Sequence, residues 1–189
     1  PGGGGGGGGA TGAGETAIAA GGSAGGYAEK LILESALSAS ETVTVGTKGD
    51  GGATGSNAGA AGSGPSSFGS HCSAGEGQGG SGAASSPVSG FTYEGASGAG
   101  SGGDINLFGQ PGGRARRLSG DIAQLGRGGS SVLGPSNGNW SNSNFFSDGS
   151  SALNPGAGGD GGYSRSTSQA VSGGNGDDGI VIVEVYGSP

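Results

Sequence analysis

The sequence predicts a mainly β chain with little or no helix, in which a small β-sandwich scaffold carries long glycine-rich loops. Glycine supplies 54 of the 189 residues and the hydrophobic class only 30%, which excludes a large conventional core. Short runs of β-branched and aromatic residues recur between the glycine stretches, and such runs are typical of short strands. We therefore expect a single domain, residues 1–189, that is held together at its strands.

The glycine stretches allow a further form of packing. Collagen is excluded, because the glycines between Gly49 and Gly64 do not recur at every third position. Polyproline-II helices packed side by side stay open as an alternative, since glycine has no Cβ to keep neighbouring backbones apart. In such a bundle the backbone hydrogen bonds would run between helices and not within them.

The strongest strand signal is the last apolar run, residues 179–186, where β-branched residues follow one another without an intervening glycine. Alternate side chains of an extended chain point to opposite sides, and here both sides are largely apolar. We predict a strand that is buried on at least one face and pairs with strands around residues 27–33 and 41–45. A charge placed at Val183 would then unfold the domain.

Further strands are predicted along the chain. Residues 27–33 alternate loosely, with a helix over 27–39 as the alternative because Ala, Glu, Lys and Leu favour helices. Residues 41–45 form the next strand, joined to the first by a hairpin-like connection. The inward side chains would be Tyr27, Leu31 and Leu33 on the first strand and Val43 and Val45 on the second. The remaining predicted strands are residues 91–93 and residues 103–110, in which Ile105 and Leu107 alternate before Pro111 ends the strand.

Charge and composition exclude several classes of function. The net charge of −7 argues against a general nucleic-acid binder. Cys72 is the only cysteine, so no intrachain disulfide is expected. The chain opens on Pro1 and a glycine run without a signal peptide or a long apolar segment, which predicts no membrane insertion, and we interpret it as a fragment or processed tail. No glycine motif precedes a helix with an acidic partner, and we expect no cofactor.

An arginine cluster follows the predicted scaffold strand. Residues 114–127 hold four of the seven basic residues, and guanidinium groups match phosphate and carboxylate groups bidentately. The alternative is a solvated loop that balances an acidic chain. The four residues are Arg114, Arg116, Arg117 and Arg127.

Aromatic residues interleaved with asparagine come next. An aromatic face can stack on the apolar face of a sugar, with neighbouring amides as donors and acceptors; the alternative is a small core beneath the loop. A smaller polar-aromatic patch follows at Tyr163 and Arg165. The candidate receptor-binding residues of this part are Asn139, Trp140, Asn142, Asn144, Phe145, Phe146, Tyr163 and Arg165.

His71 and Cys72 are the only pair that looks reactive. Adjacent residues of an extended chain point to opposite sides, so they are poorly placed as a nucleophile and its base, and packing of Cys72 beneath a sheet is the stronger interpretation. His71 is a weak candidate for a metal ligand, through three copies meeting on an axis. No metal site is otherwise predicted.

Several short motifs in order resemble a known family, the glycine-rich distal domain of tailed-bacteriophage tail fibres. The resemblance covers almost the whole chain and rests on the order and spacing of the motifs. They are the Pro1 glycine-rich start, Gly25-Gly-Tyr-Ala-Glu-Lys30, Glu41-Thr-Val-Thr-Val-Gly46, Ser66-Ser-Phe-Gly-Ser-His-Cys72, Gly103-Asp-Ile-Asn-Leu-Phe-Gly-Gln-Pro-Gly112 and Gly179-Ile-Val-Ile-Val-Glu184.

The resemblance implies a host-recognition tip at the distal end of the fibre in the virion, without enzymatic activity. Its implied partners are a bacterial surface glycan or outer-membrane protein, the rest of the tail fibre, and two further copies in a homotrimer. Core closure is a second reason to expect a trimer, because one chain has little apolar surface. Specificity is implied to lie in variable loops, here residues 114–170, a region poorer in glycine than in the family. The alternative function is a structural or ice-binding polyproline-II bundle.

Overall fold

The structure is a computed structural model, and it describes residues 1–10, 16–84, 91–92, 95–119, 122–137, 146–165 and 169–187. It is 2% helical and 22% strand, which confirms the predicted mainly β class. The single helical element described is a short 3-10 turn, Glu34–Ala36. The strands are β1 Ala17–Ile18, β2 Tyr27–Glu29, β3 Val43–Thr44, β4 Ser66–Phe68, β5 Cys72–Ala74, β6 Phe91–Thr92, β7 Gly100–Ser101, β8 Ile105–Leu107, β9 Ala115–Ser119, β10 Ile122–Gln124, β11 Phe146–Ser147 and β12 Tyr163–Ser164.

These strands form small antiparallel sheets. In spatial order the described sheets are β3-β4-β5-β7, β10-β9-β6, β1-β12-β11 and the pair β2-β8. Strands β4 and β5 are a tight hairpin in which Phe68 lies opposite Cys72. Gly69 has a φ of 51° in this turn, a conformation that costs glycine little because it has no Cβ.

The centre of the molecule is glycine backbone. Residues 1–10, which we call the central segment, are all buried. The amides of Gly2, Gly5 and Gly8 donate to carbonyl groups of one neighbouring stretch, residues 20–26, at 2.9 to 3.1 Å. Every third residue therefore faces the same neighbour, as in a polyproline-II helix with three residues per turn. The two stretches run antiparallel, because the residue numbers of the acceptors fall from Gly26 to Ala20 as those of the donors rise from Gly2 to Gly8.

Because successive residues of this helix face different sides, the central segment has hydrogen-bonded neighbours all around it. Most of its remaining amides and carbonyl groups bond to further glycine-rich stretches at 2.8 to 3.1 Å, whereas no hydrogen bond is described within the segment itself. Bonding outward in all directions is the packing of polyproline-II helices side by side that the sequence left open. Among the described residues six stretches touch it in this way: residues 20–26, 57–60 and 171–177 accept from it, and residues 49–52, 77–83 and 159–162 donate to it.

Residues 19–26 form a second centre beside the first. They also bond to several stretches, and two of these, around residues 77–81 and 156–162, are shared with the central segment. Two adjacent centres with shared neighbours are the arrangement of a hexagonally packed bundle. Glycine is required at its closest contacts: a Cβ on Gly7 would overlap the carbonyl group of Asp160 and lie 2.8 Å from the amide nitrogen of Gly161.

Conventional apolar burial is small and lies at the edge of this bundle. One cluster joins Ala10, Ala17, Ala19, Ala83 and Val171, and another is described below. The single chain thus closes its own centre with backbone hydrogen bonds between its own segments. Core closure consequently supplies no reason for a trimer, and that prediction rests on the resemblance alone.

The register of the bundle defines two ends. Gly26 and Asp177 bond close to Pro1, whereas Val171 and Asn57 bond to Ala10 and Gly9. The glycine-rich stretches run in both directions between these ends, so their connections emerge at one or the other. We call them the Pro1 end and the Ala10 end. Sheets β2-β8 and β3-β4-β5-β7 lie at the Pro1 end, and β1-β12-β11 and β10-β9-β6 lie at the Ala10 end.

The predicted buried strand at residues 179–186 is wrong. Gly179 donates to Gly46 at 2.8 Å and Ile180 to Pro1 at 3.1 Å, but no strand is assigned beyond them. Val183 is 54% exposed and Val185 89% exposed. The chain here leaves the bundle at the Pro1 end, and no backbone hydrogen bond beyond Ile180 is found among the described residues.

The predicted pairing of residues 27–33 with 41–45 is also wrong. Strand β2 pairs with β8, and β3 pairs with β4, because each strand continues from a glycine segment whose place in the bundle decides its neighbours. The alternative helix over residues 27–39 is limited to the 3-10 turn. The side chains expected to point inward on the later residues are exposed at the surface: Leu31, Leu33, Val43 and Val45.

Two strand predictions are confirmed. Strand β8 lies within the predicted residues 103–110, and β6 covers the first two residues of 91–93. Strand β8 is short, because the chain enters a glycine stretch at Gly109.

Candidate functional site

The Ala10 end brings together segments that are distant in the sequence. The hairpin of β9 and β10, strand β11 and strand β12 all lie there, and β1 packs against β9. These elements carry part of each candidate segment predicted between residues 114 and 170. The bundle therefore places the hairpin that contains the arginines and Phe146 of β11 at the same end.

The arginine cluster lies largely on a strand. Strand β9, the longest described, contains Arg116 and Arg117 and follows directly on Arg114, which differs from the predicted loop. Arg114 and Arg116 are exposed, whereas Ala115 between them is 1% exposed. Alternation along an extended chain accounts for this, since successive side chains point to opposite faces. Arg127 is also exposed, and the side chain of Arg117 lies outside the described part.

Tyr163 is a core residue and not part of a surface patch. It is 8% exposed and forms an apolar cluster with Ile18 and Ala115, against which Leu125 packs. Its ring anchors the sheets beneath the arginines, so Tyr163 does not lie in the predicted surface patch; its binding role stays a prediction. Arg165, two residues further, is half-buried.

The aromatic and asparagine residues divide between described and undescribed parts of the chain. Phe146 lies in β11 and is 45% exposed, which places one of the predicted aromatic side chains at the surface of the Ala10 end. The other predicted residues lie outside the described residues, and their binding role stays a prediction: Asn139, Trp140, Asn142, Asn144 and Phe145.

A shallow cleft beside the arginines contains a carboxylate that the sequence analysis passed over. Asp160 is 7% exposed and its Oδ1 accepts a hydrogen bond from the amide of Gly128 at 2.7 Å. Arg127, Asp148 and Tyr163 also line this cleft. The signal in the sequence was an acidic residue between two glycine pairs, since flanking residues without side chains leave room for a backbone donor to approach the carboxylate.

His71 lies at the opposite, Pro1 end. Its Nε2 is 3.2 Å from Oε1 of Glu41, and its ring centre is 5.9 Å from that of Phe68. The amide of Ser38 donates to Glu41 Oε1 at 2.9 Å; this bond, followed by the contact with His71, lowers the pKa of Glu41 below its ordinary value. In the described part of the chain no three potential ligands come together as a metal would require. His71 there has a structural pairing.

Cys72 lies in β5, is half-buried and forms no disulfide. His71 and Cys72 follow one another at the start of the strand, so no approach of the thiol to the imidazole is described. Cys72 belongs to neither of the described apolar clusters, so its packing beneath the sheet stays a prediction.

No helix in the described residues has the length and apolar character needed to cross a membrane. No protein-family model matches the chain, and no curated protein shows significant similarity to it.

Proposed function

We propose that this chain is the receptor-binding tip of a bacteriophage tail fibre and that its Ala10 end binds a receptor on the bacterial surface without catalysis. The observation that carries the proposal is the exposed pair of Arg116 on β9 and Arg114 directly before it, on either side of Ala115, which is fixed in the core. The order of short motifs along the sequence supports the assignment to a tail fibre.

The geometry suits recognition of anionic groups. Ala115, packed on Ile18 and Tyr163, holds β9 in place, so the two guanidinium groups are presented from a rigid element and little freedom is lost on binding. Guanidinium groups bind phosphate and carboxylate oxygens in a planar, bidentate way. Both anions are abundant on bacterial surface glycans, and carboxylates also occur on the loops of outer-membrane proteins.

The expected homotrimer would raise the strength of attachment. A weak site becomes effective when linked copies engage several receptors at once, because the second contact is made at high local concentration. This part of the proposal rests on the resemblance to tail-fibre tips and on no described contact.

The test compares two double variants with the same loss of charge. Arg114→Ala with Arg116→Ala removes the proposed site, and Lys30→Ala with Lys48→Ala removes the two lysines at the Pro1 end. Fluorescently labelled protein is incubated with a panel of bacterial strains, and binding to a responsive strain is measured by flow cytometry at low and physiological salt. Far-UV circular dichroism checks that both variants are folded.

We expect the arginine variant to bind about tenfold more weakly, the loss of roughly 1.4 kcal/mol, and the lysine variant to bind as the parent does. The difference should shrink at higher salt, because exposed charges are screened. Equal loss in both variants would point to net charge alone, and no loss in either would place the site elsewhere.

The glycine bundle also favours the structural or ice-binding alternative, since its helices pack in a regular array. An ice-binding face needs flat rows of small side chains, yet the outward positions of residues 47–52 include exposed Lys48 and Asp50. Thermal hysteresis in a solution of the purified protein would support this alternative over receptor binding.

A further inference from the structure

The two ends of the bundle differ in the side chains that they expose. Of the large apolar side chains that the structure describes as exposed, most lie at the Pro1 end, whereas Phe146 lies at the Ala10 end and Leu153 lies beside the middle of the bundle. Soluble monomers rarely expose many such residues together, and an apolar concentration of this kind marks an interaction surface. This apolar surface includes Leu31, Leu33, Val43, Val45, Ile105 and Phe108, together with the side chains of the last described residues.

The last described residues form an unpaired extended segment at this surface. Residues 180–186, the terminal segment, are β-branched except at Glu184 and Tyr186, and Ile182, Val183 and Val185 are 65%, 54% and 89% exposed. After Ile180 no backbone hydrogen bond of the segment is found among the described residues. Extended β-branched backbone with open donors and acceptors is the form that adds to another strand.

The charged residues around the terminal segment indicate which charge a partner should carry. Glu184, Asp177 and Asp178 lie in or beside it, and the phenol of Tyr186 donates to Glu184. The pKa of Tyr186 is raised first by its hydrogen bond to Glu184 and also by the negative charge of Glu29 on β2, so Glu29 adds to the acidic surround of the segment. Other charges at this end are Glu34, Glu41, Glu76 and Asp104 against Lys30 and Lys48.

This acidic surround disfavours a second copy of the same segment. Two copies placed side by side would bring Glu184 and the neighbouring aspartates of both chains together, and like charges opposite each other destabilise a strand pair. A partner with lysine or arginine at its ends would meet opposite charges instead.

We propose that the terminal segment is a docking strand for an extended, β-branched segment of another polypeptide with basic residues at both ends. The partner strand forms backbone hydrogen bonds with residues 181–186 and covers the neighbouring apolar surface. This inference concerns the end opposite the arginines and does not depend on receptor binding at the Ala10 end.

The test uses a blocked synthetic peptide, Lys-Lys-Val-Thr-Val-Thr-Val-Lys-Lys. Amide hydrogen exchange of the folded protein is followed by NMR with and without the peptide. One edge of a strand bonds through alternate residues, so we expect protection at alternate amides of residues 181–186 and no change at residues 1–10. A peptide with glutamate in place of lysine should bind about tenfold more weakly at low salt.

Two variants make the test specific. Val183→Pro removes one amide donor from an exposed position, so it should leave the bundle folded and weaken peptide binding about tenfold. Ser136→Ala, outside the terminal segment, is the folded control and should bind the peptide as the parent protein does. Absence of alternate protection would overturn the proposal. Protection that grows with protein concentration without peptide would overturn it in favour of a second copy.

Discussion

Replacing Gly7 by alanine should destabilise the protein severely, although it adds only one methyl group. The new Cβ would overlap the carbonyl group of Asp160 and approach the amide nitrogen of Gly161. Both obstacles are backbone atoms of a hydrogen-bonded stretch, so neither can turn aside as a side chain would. Overpacking of this kind costs about 1–3 kcal/mol. The substitution also weakens the hydrogen bonds from the Gly7 amide to Gly174 and from the Gly52 amide to Gly7, each 2.8 Å long. Each weakened bond lowers the free energy of unfolding by about 1 kcal/mol more.

The sum is about 3–5 kcal/mol, which corresponds to a fall in Tm on the order of 10 °C for a domain of this size. Thermal and urea unfolding followed by circular dichroism measures it. Gly187→Ala is the control, because nothing lies within 4 Å of an added Cβ there, and its effect should stay within about 0.5 kcal/mol. If Gly7→Ala unfolds at the temperature of this control, the central segment is not packed against the neighbours described.

Three further outcomes can be checked by the same unfolding measurements. Ser23, fully buried, accepts from the amide of Gln78 at 2.7 Å and donates to the carbonyl of Ala96; Ser23→Ala should cost about 1–3 kcal/mol because both partners lose their bond, and exposed Ser63→Ala should cost almost nothing. The pKa of Glu41 is lowered in the folded state, so its contribution is present above the unfolded pKa, near 4.5, and is lost as pH falls. Glu41→Gln should therefore make unfolding less acid-sensitive below that pH, and an unchanged pH profile would contradict this. Val183→Asp should change stability by less than about 0.5 kcal/mol, whereas the buried strand predicted from the sequence would have required unfolding.

The stability of this fold has an unusual source. Its buried centre consists of glycine, so it gains little from apolar side-chain area. Close backbone approach instead gives most of the amides and carbonyl groups of the described centre a partner on a neighbouring segment. The same closeness explains why single methyl additions at the centre should be more damaging than charges at the exposed terminal segment.

Part of the candidate site could be predicted from the sequence. The alternation Arg114-Ala115-Arg116 already contains an exposed and a buried face, and the structure shows both faces. Tyr163 could not be placed, because an aromatic residue among polar neighbours fits a surface patch and a small core equally well. Its burial follows from β12 lying between β1 and β11, a neighbourhood made by segments far apart in the chain.

The sequence by itself determined the class of the fold and the material of its centre. So much glycine and so few apolar residues exclude a conventional core, and short β-branched runs require short strands. The tertiary structure alone decided which segments are neighbours. A polyproline-II helix of glycine bonds equally well to any similar helix on its sides, so local sequence carries almost no information about partners. For this reason the terminal segment, the strongest strand signal in the sequence, lies exposed while the featureless glycine run at Pro1 forms the centre.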